Sequence, residues 1–331
     1  MLIEDPTLFS LVIPTWQGTP FLRRCLDYLK AEKYRGHLLL SDDSSGEHRA
    51  FVESCPERYP ELRMDVHCFE PGTRFLVKLA RSLERLTARY VMLCGQDDFI
   101  IPQGVEQTLL ALRSDPTLSC ARGRVARFHV NRAADGRAES VKMMHHNMRA
   151  YGEPLAVERV LAHIRSFSAT LYSVHRREDL IDSFLFTERA TKNVIFFQYL
   201  SSCVVVARGR IAVVEDLFLV RQAHEGSWAA QLLGNYEHWP LLIASPHYSN
   251  YYQEFRSALV QLLGAEPGAD ARLGARIDAA YVDLVKRSFC QSEPFDQAQH
   301  DFLQRLQTGG TAENDVFERV FEFLVRYQDT Y

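Results

Sequence analysis

Four short apolar runs, each closing in a polar turn, fill the first hundred residues and constrain the fold more than any other feature of the chain. Phe9 to Pro14 (FSLVIP), His37 to Ser41 (HLLLS), about Met64 to Phe69, and Tyr90 to Cys94 have the length of strands. They are apolar enough to be covered on both faces. Helix-length segments separate them. Thr19-Pro20 supplies an N-cap and an N1 proline for a helix whose Phe21, Leu22, Cys25, Leu26 and Leu29 share one face, and a second helix runs from about Arg74 to Leu86. This alternation predicts an α/β fold, a doubly wound and mostly parallel sheet with right-handed crossovers. Ligands of such a sheet sit beyond the carboxyl ends of its strands.

Beyond Pro102 the pattern continues with a helix to about Arg113, a β-rich stretch to Val130, an Asp135-Gly136 turn and loop from His145 to Pro154. Ser168 to Val174 reads as a strand. Lys192 to Arg208 is apolar all round, which predicts a buried helix stopped by Gly209. Ile211 to Val214 and Leu217 to Arg221 read as two strands or one bent one, ending at His224. From Trp228 onward the patterns are helical. A chain of 331 residues exceeds one compact domain, so we expect a catalytic domain over 1–227 and a helical C-terminal region over 228–331. With Trp239, Tyr248, Tyr251 and Tyr252, that region has core packing as its default role; shaping an acceptor site and forming a homodimer are the alternatives.

Composition narrows the class. A formal charge of −4 argues against a nucleic-acid binder. The seven cysteines are odd in number and form no C-x-x-C pair, so a reduced, cytoplasmic protein without a cysteine zinc site is expected. No run approaches the ~18 apolar residues of a spanning helix, leaving peripheral contact with an inner membrane as the alternative to a freely soluble state.

Two acidic clusters fall at strand ends: Asp42-Asp43 after the second run and Asp97-Asp98 after the fourth. Adjacent carboxylates on a tight turn repel unless a cation or strong donors offset the charge, and Mg²⁺ or Mn²⁺ bridging to a diphosphate is one such arrangement. A solvated turn or a helix cap is the plainer reading of each pair. A carboxylate at a strand end also suits the imide N–H of a nucleobase or a ribose hydroxyl. Both clusters at one edge of one sheet favour a site.

LVIPT (Leu11 to Thr15), SDDSSGE (Ser41 to Glu47) and YVMLCGQDDFIIP (Tyr90 to Pro102) resemble, in order and spacing, the GT-A glycosyltransferases, of the family 2 type. The closest pattern is a bacterial subgroup with a triple aspartate followed by Phe. The resemblance covers residues 8–115 well and 165–225 loosely. It implies a nucleotide-sugar donor, a glycan or other hydroxyl acceptor and a divalent metal, Mn²⁺ or Mg²⁺, in bacterial glycan or surface polysaccharide synthesis. It further implies that Pro14, Thr15 and one of Asp42 or Asp43 contact the nucleoside, that Asp97 lies near the ribose, and that Asp98 ligates the metal. The sequence departs at Gln96, where an acid is expected; an amide there weakens metal affinity or leaves the metal fewer protein ligands.

Arg74 and Lys78, one helical turn apart, are candidate cations for the diphosphate, with a solvated basic face as the alternative. His224 resembles the final histidine ligand or donor of GT-A enzymes. An inverting transfer needs a carboxylate at the acceptor hydroxyl, and the resemblance places it shortly before the buried helix. Glu188 is the first candidate and Asp179, in the Glu178-Asp179 pair, the second. His145-His146 reads as exposed loop. Two other functions compete. A nucleotidyltransferase is disfavoured because TWQGTPF lacks a Gly-rich phosphate loop, and a non-catalytic binding or scaffold module draws weight from Gln96.

Overall fold

The computed structural model describes residues 1–132, 138–144, 148–224, 246–264, 270–289 and 297–308, with a few positions between 315 and 323. Strands β1 (Phe9–Thr15), β2 (His37–Asp42), β3 (Arg63–Cys68) and β4 (Tyr90–Leu93) form the parallel half of a nine-stranded mixed sheet in the order β3-β2-β1-β4. The sheet continues through β8 (Val174–Arg176), β6 (Leu118–Arg132), β9 (Arg210–Ala223) and the two-residue β5 (Phe99–Ile100), with β7 (Ala138–Met144) beside β6.

Three of the apolar runs become strands because β1, β2 and β4 each feed two cores, whereas β3, at the sheet edge, packs Met64 and Val66 on one core and leaves Arg63 and Asp65 exposed. Phe9, Leu11 and Ile13 of β1, Leu38 and Leu40 of β2, and Tyr90 and Met92 of β4 belong to one cluster; Val12, Leu39, Val91 and Leu93 belong to the other. This period of two leaves no polar face, the mark of a sheet covered on both sides. The first cluster is closed by helices α1 (Thr19–Ala31), α2 (Gly46–Arg58) and α4 (Pro102–Ser114). The second is closed by α3 (Phe75–Glu84), α5 (Ala156–Arg165), α6 (Arg177–Ala190) and α7 (Val194–Arg208). Helices α8 (Tyr248–Leu262) and α9 (Asp270–Phe289) add Phe255, Leu259, Ile277 and Tyr281 to that same cluster, and Tyr252 packs on Tyr281 at 4.6 Å between ring centroids.

The buried helix is present as α7, its N-terminus capped by Asn193, whose side chain accepts from the N–H groups of Ile195 and Phe196. One expectation changes and two alternatives are decided. The strand expected over Ser168 to Val174 is the three-residue β8. The two stretches before His224 are one strand, bent where its register against β6 shifts. Asp42 and Asp43 do not cap α2, whose N-cap is Ser45. The Asp135-Gly136 turn, His145-His146, Trp228, Trp239 and the expected domain boundary lie outside the described residues. None of the six described cysteines forms a disulfide. Among the described residues, no helix is long and apolar enough to cross a membrane.

Strand direction decides where side chains can meet. β8 is antiparallel to both β4 and β6, and β9 is parallel to β6, so β1, β2, β4 and β9 all run the same way. Their carboxyl ends line one edge of the sheet, which collects Thr15, Asp42-Asp43, Asp97-Asp98 and His224.

Candidate functional site

The turn after β4 carries two carboxylates with opposite surroundings. Asp98 is 1% exposed; its Oδ2 accepts from Arg221 Nε at 3.0 Å and its Oδ1 from the Gln222 N–H at 3.2 Å. Asp97 opens toward the edge, and its Oδ2 lies 2.8 Å from His224 Nε2. The His224 ring stacks on Phe21, with centroids 4.5 Å apart. The turn is so tight that a Cβ at Gly95 would overlap the Asp97 carboxylate. Arg24, fully buried in α1, braces it from below, donating to Asp97 O at 2.7 Å and to Gln222 Oε1 at 2.8 Å.

Electrostatics separate the pair. Burial, with the adjacent Asp97 charge and against the opposing pull of Arg221, pushes the Asp98 carboxyl up to about 6. Burial also works to raise Asp97, but the hydrogen bond and charge of His224, with Arg221 behind them, hold it below the usual carboxylate range. Burial pulls the Arg24 guanidinium down to about 10. Arg221 is held above its usual range by the same carboxylates and lies over the Tyr172 ring at 4.3 Å.

These contacts arrange the expected residues in the free chain as follows. Asp98, expected as the metal ligand, is sealed against Arg221, and Asp97, expected near a ribose, is the carboxylate that meets His224. Gln96 faces neither; its Nε2 donates to Trp16 O at 3.2 Å. A carboxylate and an imidazole side by side form a donor set suited to a divalent cation such as Mn²⁺. Among the described residues no group of three or more ligating side chains forms.

At the ends of β1 and β2 the acidic pair also divides. Asp42 is fully buried, its Oδ1 accepting from Thr15 Oγ1 and Ser44 Oγ at 2.7 Å each and its Oδ2 from the Ser44 N–H at 3.1 Å. These bonds make it a brace for the loop, so Asp43 is left as the acid for a ligand. Asp43 forms an ion pair with Lys78, whose ammonium also donates to Thr15 O at 3.1 Å. Lys78 is 3% exposed and anchors the end of β1, so in the free chain its ammonium is engaged by Asp43 and Thr15 O. Pro14, half-buried, precedes Thr15 on the strand.

Arg74 and Lys78 do not act as one basic face. Arg74 is the N-cap of α3 and pairs with Glu188 in the last turn of α6, where Lys192 Nζ adds a second cation at 3.1 Å. Glu188 is thus brought to Arg74, beyond the carboxyl end of β3. Asp179 is not. β8 runs away from the site edge, and the Arg177 N–H at its end bonds Arg89 O, just before β4 begins. Asp179 follows there, at the opposite edge of the sheet.

Sequence reasoning missed Arg24, Arg221 and Trp16. Arg24 carried a signal, since it lies three residues after Phe21 on the apolar side of its helix. Trp16, 38% exposed immediately after β1, was a large aromatic at a strand end.

The sequence matches no protein-family model and no curated protein. Solved structures do match. Residues 1–349 of S. aureus TarS align with a TM-score of 0.52 at 12% identity, over 86% of this chain and 91% of that one. A longer TarS structure aligns at 0.51 and 13% identity, over 85% of this chain but 54% of that one, so this chain spans about half its length. The fold is that of the GT-A-like glycosyltransferases. At these identities the likeness concerns the fold alone.

Proposed function

We propose that this chain is a nucleotide-sugar-dependent glycosyltransferase that moves a sugar from a nucleoside-diphosphate donor to a hydroxyl acceptor of a glycan, with inversion. One observation carries the reading: Asp97 and His224, from elements 127 residues apart in sequence, meet at the carboxyl edge of the sheet. Asp43 and the exposed indole of Trp16 stand at neighbouring strand ends. Trp16 offers a stacking face for a nucleobase, and Asp43 an acceptor for a base or ribose donor. Asp97 and His224 are the residues that would hold a divalent cation. When bound, the cation would offset charge on the departing diphosphate.

Arg221 fixes Asp98 and keeps the turn closed, which leaves Asp97 as the carboxylate facing the donor. Glu188 is the proposed base. It takes the proton of the acceptor hydroxyl as that oxygen bonds to the anomeric carbon, and the bond from that carbon to the diphosphate oxygen breaks, its electron pair leaving with the nucleoside diphosphate. Arg74, which holds Glu188 in the free protein, is placed to turn toward the diphosphate. The helical region over 228–331 is proposed to shape the acceptor side.

A thermal-shift panel of UDP, GDP, CDP and dTDP, with and without Mn²⁺, on wild type and Asp97→Ala tests this. Stabilisation selective for one nucleotide, enhanced by Mn²⁺ and lost in the variant, is expected. The absence of a three-ligand cluster among the described residues favours a second reading, a non-catalytic binding module. A wild type that no nucleotide stabilises moves that module ahead.

A further inference from the structure

Gln96 departs from the acidic pattern of the motif, and the structure gives the amide a task that an acid does not perform. Its Nε2 donates to Trp16 O at 3.2 Å, and the amide lies so close over Gly18 that a Cβ there would overlap it. Its Oε1 is buried without a hydrogen-bond partner, so the side chain is held by that one bond and by the missing side chain of Gly18. The other side of the loop is pinned as well. The Gln17 N–H donates to Ser44 Oγ at 2.9 Å, and Ser44 Oγ donates to Asp42. Gln17 keeps a left-handed φ of 49°, a conformation that a non-glycine residue holds only when its surroundings impose it. A carboxylate at position 96 has no proton to give a carbonyl and would repel Trp16 O.

We infer that Gln96 is a positioning residue: its amide ties the Trp16–Gly18 loop to the Asp97–Asp98 turn and sets the exposed indole at a fixed spacing from the Asp97–His224 pair. One nucleoside diphosphate would then stack its base on the indole while its diphosphate meets the Asp97–His224 pair. The inference rests on the nucleotide-sugar reading. It reassigns Gln96 from weakened metal ligand to a link between base recognition and the diphosphate end.

Gly18 supplies the test, because its φ of −123° accepts alanine and an added methyl displaces the amide while residue 96 remains glutamine. Affinities for UDP, GDP and inorganic pyrophosphate, each with Mn²⁺, are measured by titration calorimetry on wild type, Gln96→Ala, Gly18→Ala, the double variant and Gln96→Glu. Losing the bond is expected to weaken the bound nucleotide about three- to tenfold in either single variant, and about tenfold or more in Gln96→Glu, where repulsion is added. The double variant is expected to be no weaker than either single one, since both remove the same contact. Pyrophosphate affinity and the melting temperature of the free protein are expected to stay unchanged.

Equal weakening of pyrophosphate and nucleotide would mean that the turn itself had collapsed and would overturn the positioning role. So would additive single-variant effects, or wild-type nucleotide affinity in Gln96→Glu. A wild type that binds neither nucleotide removes the donor site, and the inference falls with the broader reading rather than alone.

Discussion

Arg221 Nε reaches Asp98 Oδ2 at 3.0 Å while His224, three residues further along the same strand end, reaches Asp97 Oδ2 at 2.8 Å. One strand terminus thus engages two adjacent carboxylates and gives them different tasks. The inward acid is structural and the outward one is available to a ligand. Asp98→Ala should therefore lower stability by about 2–3 kcal/mol, below the full cost of breaking a buried pair because Arg221 keeps some solvent contact. Asp97→Ala should cost less than about 1 kcal/mol yet abolish the Mn²⁺-dependent nucleotide shift. Urea denaturation and the thermal-shift panel separate the two. Equal stability losses would remove the division of roles.

The pH dependence follows from the same pair. Asp98 titrates near 6 in the folded chain, above its unfolded value near 3.8. Between these values the folded state holds more protons than the unfolded one, so the Asp98 contribution is fully present below the unfolded value and is lost as pH rises toward 6. Asp97, held low, contributes in the opposite sense. Its share is present above the unfolded value and is lost as pH falls through the folded one. In Asp98→Asn the first component is absent. The stability of wild type relative to Asp98→Asn should therefore fall as pH rises from about 4 to 6, measured as urea unfolding free energies at several pH values. A constant difference across that window would contradict the assignment.

Much of the frame was readable because it depends on local pattern. The four runs at 9–14, 37–41, 64–69 and 90–94 lie within two residues of β1 to β4, since period-two burial against two helical layers demands such stretches in β1, β2 and β4 and one buried face suffices at the edge strand β3. Side-chain partnerships were less readable. Asp42 and Asp43 are neighbours in sequence, yet Thr15 and Ser44 occupy one while Lys78 claims the other. Asp97 and Asp98 are told apart by Arg221, Gln222 and His224, more than a hundred residues away. Glu188 and Asp179 were not separable by local pattern, because β8 runs against β4 and carries Asp179 to the far edge, a consequence of strand direction that no local motif records.

The Lys78–Asp43 pair ties the Lys78 ammonium to the end of β1 in the free chain. Lys78→Met removes a buried cation and leaves Asp43 beside Thr15 O without its partner, which should destabilise the fold by about 3 kcal/mol. Adding Asp43→Asn should recover part of that loss, because the stranded charge goes with it. Denaturation of both singles and the double gives the coupling. A Lys78→Met variant of wild-type stability would return Lys78 to the pool of cations available to a diphosphate.

Glu188 and Asp179 can be separated by their position relative to the site edge. Glu188 sits against Arg74 and Lys192 beyond the carboxyl end of β3, 14% exposed, where an acceptor hydroxyl could approach. Asp179 lies at the other edge with its carboxyl raised by burial, against the opposing charges of Arg208 and Arg176. In a donor hydrolysis assay with water as the acceptor, Glu188→Gln should lower kcat by about 10²- to 10⁴-fold, the usual range for removing a general base. Donor KM should change little, since the base contacts the acceptor rather than the nucleotide. Asp179→Asn should leave both parameters near wild type, because no path across the sheet lets its carboxylate reach a sugar held at Asp97. A large kcat loss in Asp179→Asn with Glu188→Gln unaffected would reverse the assignment and require the acceptor to enter from the opposite edge.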